Sequence, residues 1–272
     1  MSANLARSPT RLQRRLRERY GPWALVTGAS DGIGRELAMR LAEAGLHLVL
    51  AARRRDLLTT LARELAEAHG VETRVCAADL GSPAGLDAVI EQTRALDVGL
   101  VVAAAGFGTS GPFVDSSLAD ELGMIDVNCR AVAALSHAFG QRFLARGRGG
   151  LVLMSSLVAF QGVPRAANYA ATKAYVQSLA EGLRAEWLPH GIDVLACAPG
   201  PIRSGFGARA AMTMALAQTP RDVAGATLAA LGRRGTVRPG WLSKFLEAAL
   251  TLLPRWARVR VMGLVMAGMT HR

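Results

Sequence analysis

One pattern narrows the fold of this chain more than any other: short apolar runs alternate with longer stretches of helical spacing. WALVTGAS (23–30), HLVLAAR (47–53), TRVCAADL (73–80), VGLVVAAAG (98–106), LVLMSS (151–156) and IDVLACAPG (192–200) are the short runs. Residues 33–45, 55–69, 84–96, 118–146 and 168–188 read as the helices between them. Strands buried on both faces appear as continuous apolar runs, and parallel neighbours need a crossover helix. The pattern therefore predicts an α/β fold, a single doubly wound parallel sheet with helices on both faces. No repeat or linker divides the 272 residues, so one domain is expected over 21–240. A basic arm, 1–20, precedes it, and an apolar and basic extension, 241–272, follows as part of the same domain.

The net charge of +11 raises the question of a nucleic-acid partner, which its distribution answers. Residues 1–20 and 233–272 together carry +12, whereas 21–232 carry −1. A nearly neutral body argues against a nucleic-acid-binding domain, and none is expected as a partner. The basic ends read either as solvated termini or as segments that lie on an acidic or membrane surface. Cys76, Cys129 and Cys197 lack metal or disulfide spacing and read as reduced thiols of a cytoplasmic protein, with no metal site expected. Residues 1–20 contain no apolar signal core, and the hydrophobic tail is interrupted by Pro254, Arg255, Arg258 and Arg260.

The first apolar run ends in TGASDGIG (27–34), with Gly28, Gly32 and Gly34. Glycines allow a tight turn and close backbone approach, while the helix that follows aims free N–H groups at a pyrophosphate. In a Rossmann-like sheet this is where a dinucleotide binds. The second run ends in AARRRD, with Arg53 where an acid would hold a free ribose hydroxyl. A basic residue there accommodates a 2′-phosphate, so the expected cofactor is NADP(H), with Arg53 as its main contact.

Only two of the 32 basic residues are lysines, and one, Lys173, stands in NYAATKAYV (168–176). On a helix, Tyr169 and Lys173 share a face at i and i+4. A free phenol has a pKa near 10, and a neighbouring ammonium favours the phenolate. A compact ammonium on a flexible stem also reaches a ribose hydroxyl in a way a planar guanidinium does not. Ser156 ends the fifth run thirteen residues before the tyrosine, and Asn128 lies on the preceding long helix.

Tyr169-x-x-x-Lys173, Ser156, Asn128 and TGASDGIG together resemble the short-chain dehydrogenase/reductase family, in its classical rather than extended form, over about residues 21–205. The resemblance implies an oxidoreductase that interconverts a carbonyl and an alcohol. Tyr169 would be the acid–base, Ser156 would orient the substrate oxygen, Lys173 would hold the nicotinamide ribose and lower the tyrosine pKa, and Asn128 would anchor a relay water. It adds Ser30 and Ile33 in the glycine turn, Asp79 and Leu80 at the adenine, and Gly106 beside the cofactor. It places Pro199, Gly200, Ile202 and Ser204 along the nicotinamide. It also implies a homodimer or homotetramer. Two features depart from the family pattern: Ala103 and Ala104 replace two asparagines, and Ser204 replaces a threonine. The segment 204–220, with Met212, Met214 and Leu216, stands where the family has its substrate loop. It reads either as an apolar cover suited to an acyl, lipid-like or steroid-like ketone or as a helix burying its methionines. The tail 241–269 has three open placements: a membrane interface, a subunit interface, or over the substrate cleft.

Overall fold

The computed structural model describes residues 8–203, 205, 207, 210, 217–241, 243–244, 249–250 and 252–269. Each of the six apolar runs contains a strand: β1 (Trp23–Thr27), β2 (His47–Ala52), β3 (Thr73–Ala77), β4 (Val98–Ala103), β5 (Gly149–Met154) and β6 (Ile192–Cys197). A seventh, β7 (Thr236–Val237), has only two residues, too few to stand out as an apolar run. All neighbours pair in parallel, in the order β3-β2-β1-β4-β5-β6-β7. The order reverses between β1 and β4, which opens a crevice beyond their carboxyl ends.

The α-helices described from end to end are α1 (Arg11–Tyr20), α2 (Gly32–Glu43), α3 (Arg55–His69), α4 (Pro83–Gln92), α5 (Leu118–Ile125), α6 (Ala131–Arg146), α7 (Ala167–Trp187), α8 (Pro220–Ala230) and α9 (Arg255–Met269). Local chemistry fixes several starts. Asp31, Ser82 and Thr219 each accept a hydrogen bond from a first-turn N–H, and prolines occupy the first turns of α4 and α8. The single helix expected over 118–146 is two, joined by a π-turn at Asp126–Arg130. Alternate strand residues feed opposite cores. Ala24 and Val26 pack with Leu37, Leu58 and Leu228 on one face, whereas Trp23 and Leu25 pack with Leu135, Phe139 and Val176 on the other.

The basic segment before the sheet is largely not a free arm. Residues 11–20 form α1, with Leu16 and Tyr20 fully buried. Its charge is partly spent inside the molecule: the Tyr20 hydroxyl donates to Asp193 Oδ2 at 2.7 Å, and Arg19 Nε donates to the same oxygen at 2.5 Å. Tyr20 also touches Gly99 and Gly150, at the amino ends of β4 and β5. Helix α9 packs instead on Val163, Ala166 and Ala170, beyond the carboxyl end of β5. Helices α1 and α9 therefore lie at opposite ends of the strands, while Arg233 of the basic C-terminal stretch stands close enough to Arg15 of α1 to act on its charge. Tyr20→Phe removes one of two donors to a buried carboxylate and is expected to cost about 1–3 kcal/mol of stability, read from the midpoint of urea unfolding.

Candidate active site

A cleft of about 550 Å3 runs along the carboxyl ends of the strands. Its first wall is the turn between β1 and α2, and it exists because of two glycines. Gly28 has φ +65°, and a Cβ there would meet the backbone of Ala104 and Ala105 at 2.8 Å. A Cβ on Gly34 would lie 2.4 Å from the Gly28 carbonyl oxygen. The turn and α2 can pack this closely only without side chains. Asp31 caps Gly32, leaving the Ile33 and Gly34 N–H groups at the cleft wall without an intrahelical acceptor. Ser30 lines the same wall.

Arg53 and Arg54 stand exposed at one end of the cleft. Arg54 is the better fixed: its Nη2 donates to Ser30 Oγ at 3.1 Å and lies 3.8 Å from Asp31 Oδ2. The sequence points to Arg53 as the main contact, but a run of three arginines does not encode which of them turns back toward the glycine turn. Asp79 and buried Leu80 line the adjoining wall, with Asp79 Oδ1 accepting from Gly81 N at 3.0 Å. A turn with free N–H groups, two cations beside it and an apolar wall next to them is a donor set that fits a phosphorylated dinucleotide.

The other end holds the Ser156, Tyr169 and Lys173 constellation. Ser156 follows β5 and caps a short turn, Leu157–Phe160, while Tyr169 and Lys173 project from the first two turns of α7. Lys173 Nζ donates to the Met154 carbonyl at 2.8 Å and lies 5.8 Å from the centroid of the Tyr169 ring. Burial pushes the Tyr169 phenol up to about 12, and the Ser156 hydrogen bond works against that rise. Burial lowers the Lys173 ammonium to about 8. The phenol therefore stands above its ordinary value because desolvation by burial outweighs the hydrogen bond with Ser156.

Asn128 sits in the π-turn, buried behind the cleft rather than on its wall. Its Nδ2 donates to the Phe107 carbonyl at 2.9 Å and to Thr172 Oγ1 at 3.0 Å, while Oδ1 accepts from Phe107 N at 3.2 Å. Both amide hydrogens are therefore engaged with protein, and only a lone pair on Oδ1 remains for a relay water. Gly106 lies directly over this group: a Cβ there would approach Asn128 Oδ1 to 2.9 Å and Lys173 Nζ to 3.4 Å. At the alanines that replace asparagine, the Thr27 hydroxyl ties β1 to β4, donating to Val102 O at 3.4 Å and accepting from Ala105 N at 3.1 Å.

Pro199, Gly200 and Ile202 line the cleft between its two ends, and Ile202 pairs with Gln218. Ser204 and most of the expected substrate loop, including Met212, Met214 and Leu216, lie outside the described residues. The tail supplies what sequence reasoning left open: Leu250, Met262, Val265, Met266 and Met269 line the cleft near Tyr169. Of its three placements, this part of the tail takes the one over the cleft. Among the described residues no cluster of three metal-ligating side chains occurs, and Cys76, Cys129 and Cys197 are free thiols.

The family model described as short chain dehydrogenase matches residues 22–214. The chain is 32% identical over 232 residues to a 7beta-hydroxysteroid dehydrogenase of Clostridium sardiniense, covering 84% of this chain and 89% of that protein. It is 30% identical over 243 residues to a very-long-chain 3-oxoacyl-CoA reductase of Phaeosphaeria nodorum, covering 87% and 69%. Among solved structures, a short-chain dehydrogenase from Sphingobium yanoikuyae in complex with NADPH superposes with a TM-score of 0.77 at 31% identity, covering 86% of this chain and 97% of that one.

Proposed function

Since the chain belongs to the short-chain dehydrogenase/reductase family, carbonyl–alcohol oxidoreductases that use a nicotinamide cofactor, we propose that it is an NADP(H)-dependent reductase of a bulky apolar ketone, of acyl, lipid-like or steroid-like class. The observation that carries the reading is one continuous cleft, with Arg53 and Arg54 at one end and Ser156 with Tyr169 at the other. The wall beyond Tyr169 is Leu250, Val261, Met262, Val265 and Met266, which favours an apolar substrate and offers little to a sugar or amino acid. Related proteins named for steroid and long-chain acyl substrates support the same class.

This cleft would hold a reduced nicotinamide, whose chemistry would be the supply of hydride to the carbonyl carbon. The Tyr169 hydroxyl gives its proton to the carbonyl oxygen, and the Ser156 hydroxyl donates a hydrogen bond to the same oxygen as charge grows on it. Lys173 would hold the ribose hydroxyls and set a positive field beneath the tyrosine. Asn128 locks the Phe107 segment to α7 and so keeps the lysine at its station. In the same proposal two copies associate through α6 and α7, where Leu144 and Tyr175 are exposed.

The pH dependence follows from the two shifts. With its pKa near 12 the phenol keeps its proton over the working range, as reduction requires, whereas Lys173 is charged below about 8 and neutral above it. The value of kcat/KM for NADPH, which reports the free protein, is therefore expected to hold near neutrality and fall as pH rises through about 8. Alcohol oxidation, which needs the phenolate, should instead climb from neutral pH. Profiles in both directions, followed by NADPH absorbance with a cyclic apolar ketone, test this. A panel of apolar ketones and alcohols that changes no cofactor would favour a silent NADP-binding protein and end the catalytic proposal.

A further inference from the structure

Helix α9 is apolar on two opposite sides. Met262 and Met266 face the cleft, buried with Val163, Ala166 and Ala170. Trp256, Arg260 and Leu264, spaced i, i+4 and i+8, form the outward stripe. Leu264 is 77% exposed and Trp256 66%, and Leu252 just before the helix is 87% exposed. Trp241 is exposed as well, at 74%. Large exposed apolar groups on the face of a helix that turns away from the core mark an interaction surface.

From this face we infer that α9 docks the protein on an anionic lipid surface, lying in the plane of the interface as the roof of the substrate cleft. Charge is the first argument for that occupant. Arg255 is exposed beside the stripe and Arg260 within it, Lys244 is exposed upstream, and Glu247 is the one acidic side chain in 241–272. Tryptophans with one polar edge suit the headgroup boundary, and Arg260 lies 5.7 Å from the Trp256 ring, pairing cation and apolar body as an interface does. The helix is 15 residues, about 22 Å, and no described helix is long and apolar enough to cross a membrane, so it lies on the surface rather than through it. A second copy suits the face less well. A two-fold contact places the same patch against itself, bringing arginines to arginines with no acid between them. The docked helix also covers the apolar end of the cleft, so that an apolar ketone would pass from bilayer to Tyr169 beneath it, a link that rests on the proposed function.

The test is flotation of the full chain with phosphatidylcholine vesicles, with and without phosphatidylglycerol. Wild type is expected to float with the anionic vesicles and to be released by salt. Removing two charges with R255Q/R260Q is expected to weaken binding about 30-fold, and W256S/L264S at least as much. None of these residues lines the cleft, so NADPH oxidation with a water-soluble ketone should be unchanged in both variants. Circular dichroism checks folding; should W256S/L264S unfold, R255Q/R260Q decides alone. Wild type that stays with the pellet, or variants that float as well as wild type, overturn the proposal. So does a wild-type dimer that W256S/L264S converts to monomer in sedimentation equilibrium without any vesicle binding, since the face is then a subunit interface. Vesicle binding needs no turnover, so a failed proposal of function and a failed docking proposal are read separately.

Discussion

Tyr169→Phe is expected to lower kcat by about a thousandfold while leaving the affinity for NADPH within about twofold. The ring stays: it packs beside Ala166 and Met266, and phenylalanine fills the same space. Only the hydroxyl is lost, and with it the proton that must reach the carbonyl oxygen as hydride arrives. Ser156 can still polarise that oxygen, which sets the residual rate. Lys173 remains hydrogen-bonded to the Met154 carbonyl, so the ribose end of the cleft is undisturbed. Stopped-flow turnover and a fluorescence titration with NADPH separate the two quantities. Substantial turnover in the variant would remove the tyrosine from its assigned role.

The second large effect lies at the opposite end of the cleft. Arg53→Ser with Arg54→Ser is expected to reduce kcat/KM for NADPH about a hundredfold and to change that for NADH little. Each charge-assisted contact to a phosphate is worth about 1.5–3 kcal/mol, and part of that persists as solvation in an open site. Arg54, already aligned with Ser30 and Asp31, is expected to contribute more than Arg53 when the two are replaced singly. Equal use of both cofactors by the unmodified protein would remove the basis for an NADP preference.

The strand–helix alternation made the layer arrangement legible because parallel strands buried on both faces cannot hide their apolar runs. The glycine turn was legible for a similar reason: positive φ at Gly28 and backbone contact at Gly34 leave few alternatives to glycine. Two residues a turn apart on a helix share a face wherever the helix packs, which made Tyr169 and Lys173 readable together. What escaped depends on tertiary placement. The amphipathic pattern of α1 gave no hint that Tyr20 would reach Asp193, 173 residues away. The balance of desolvation against the Ser156 hydrogen bond at Tyr169 depends on depth in the fold, which no spacing encodes. The π-turn around Asn128 is set by the hydrogen bonds of its amide to Phe107 and Thr172 rather than by its own letters.

That wide turn makes the position of Asn128 depend on a single surplus residue. Deleting any one position in 126–130 would let α5 and α6 merge into a regular rod with better backbone bonding. Because the wide turn absorbs that residue, the helix beyond the cut would keep its rotation about the axis. Phe139 and Phe143 would then stay on the sheet they now cover, and the change would fall on the Asn128 amide, which would leave its pocket. Regularity of the rod and placement of Asn128 are mutually exclusive at this point, so homologous chains shortened there should either reinsert a residue nearby or carry a different side chain behind the lysine.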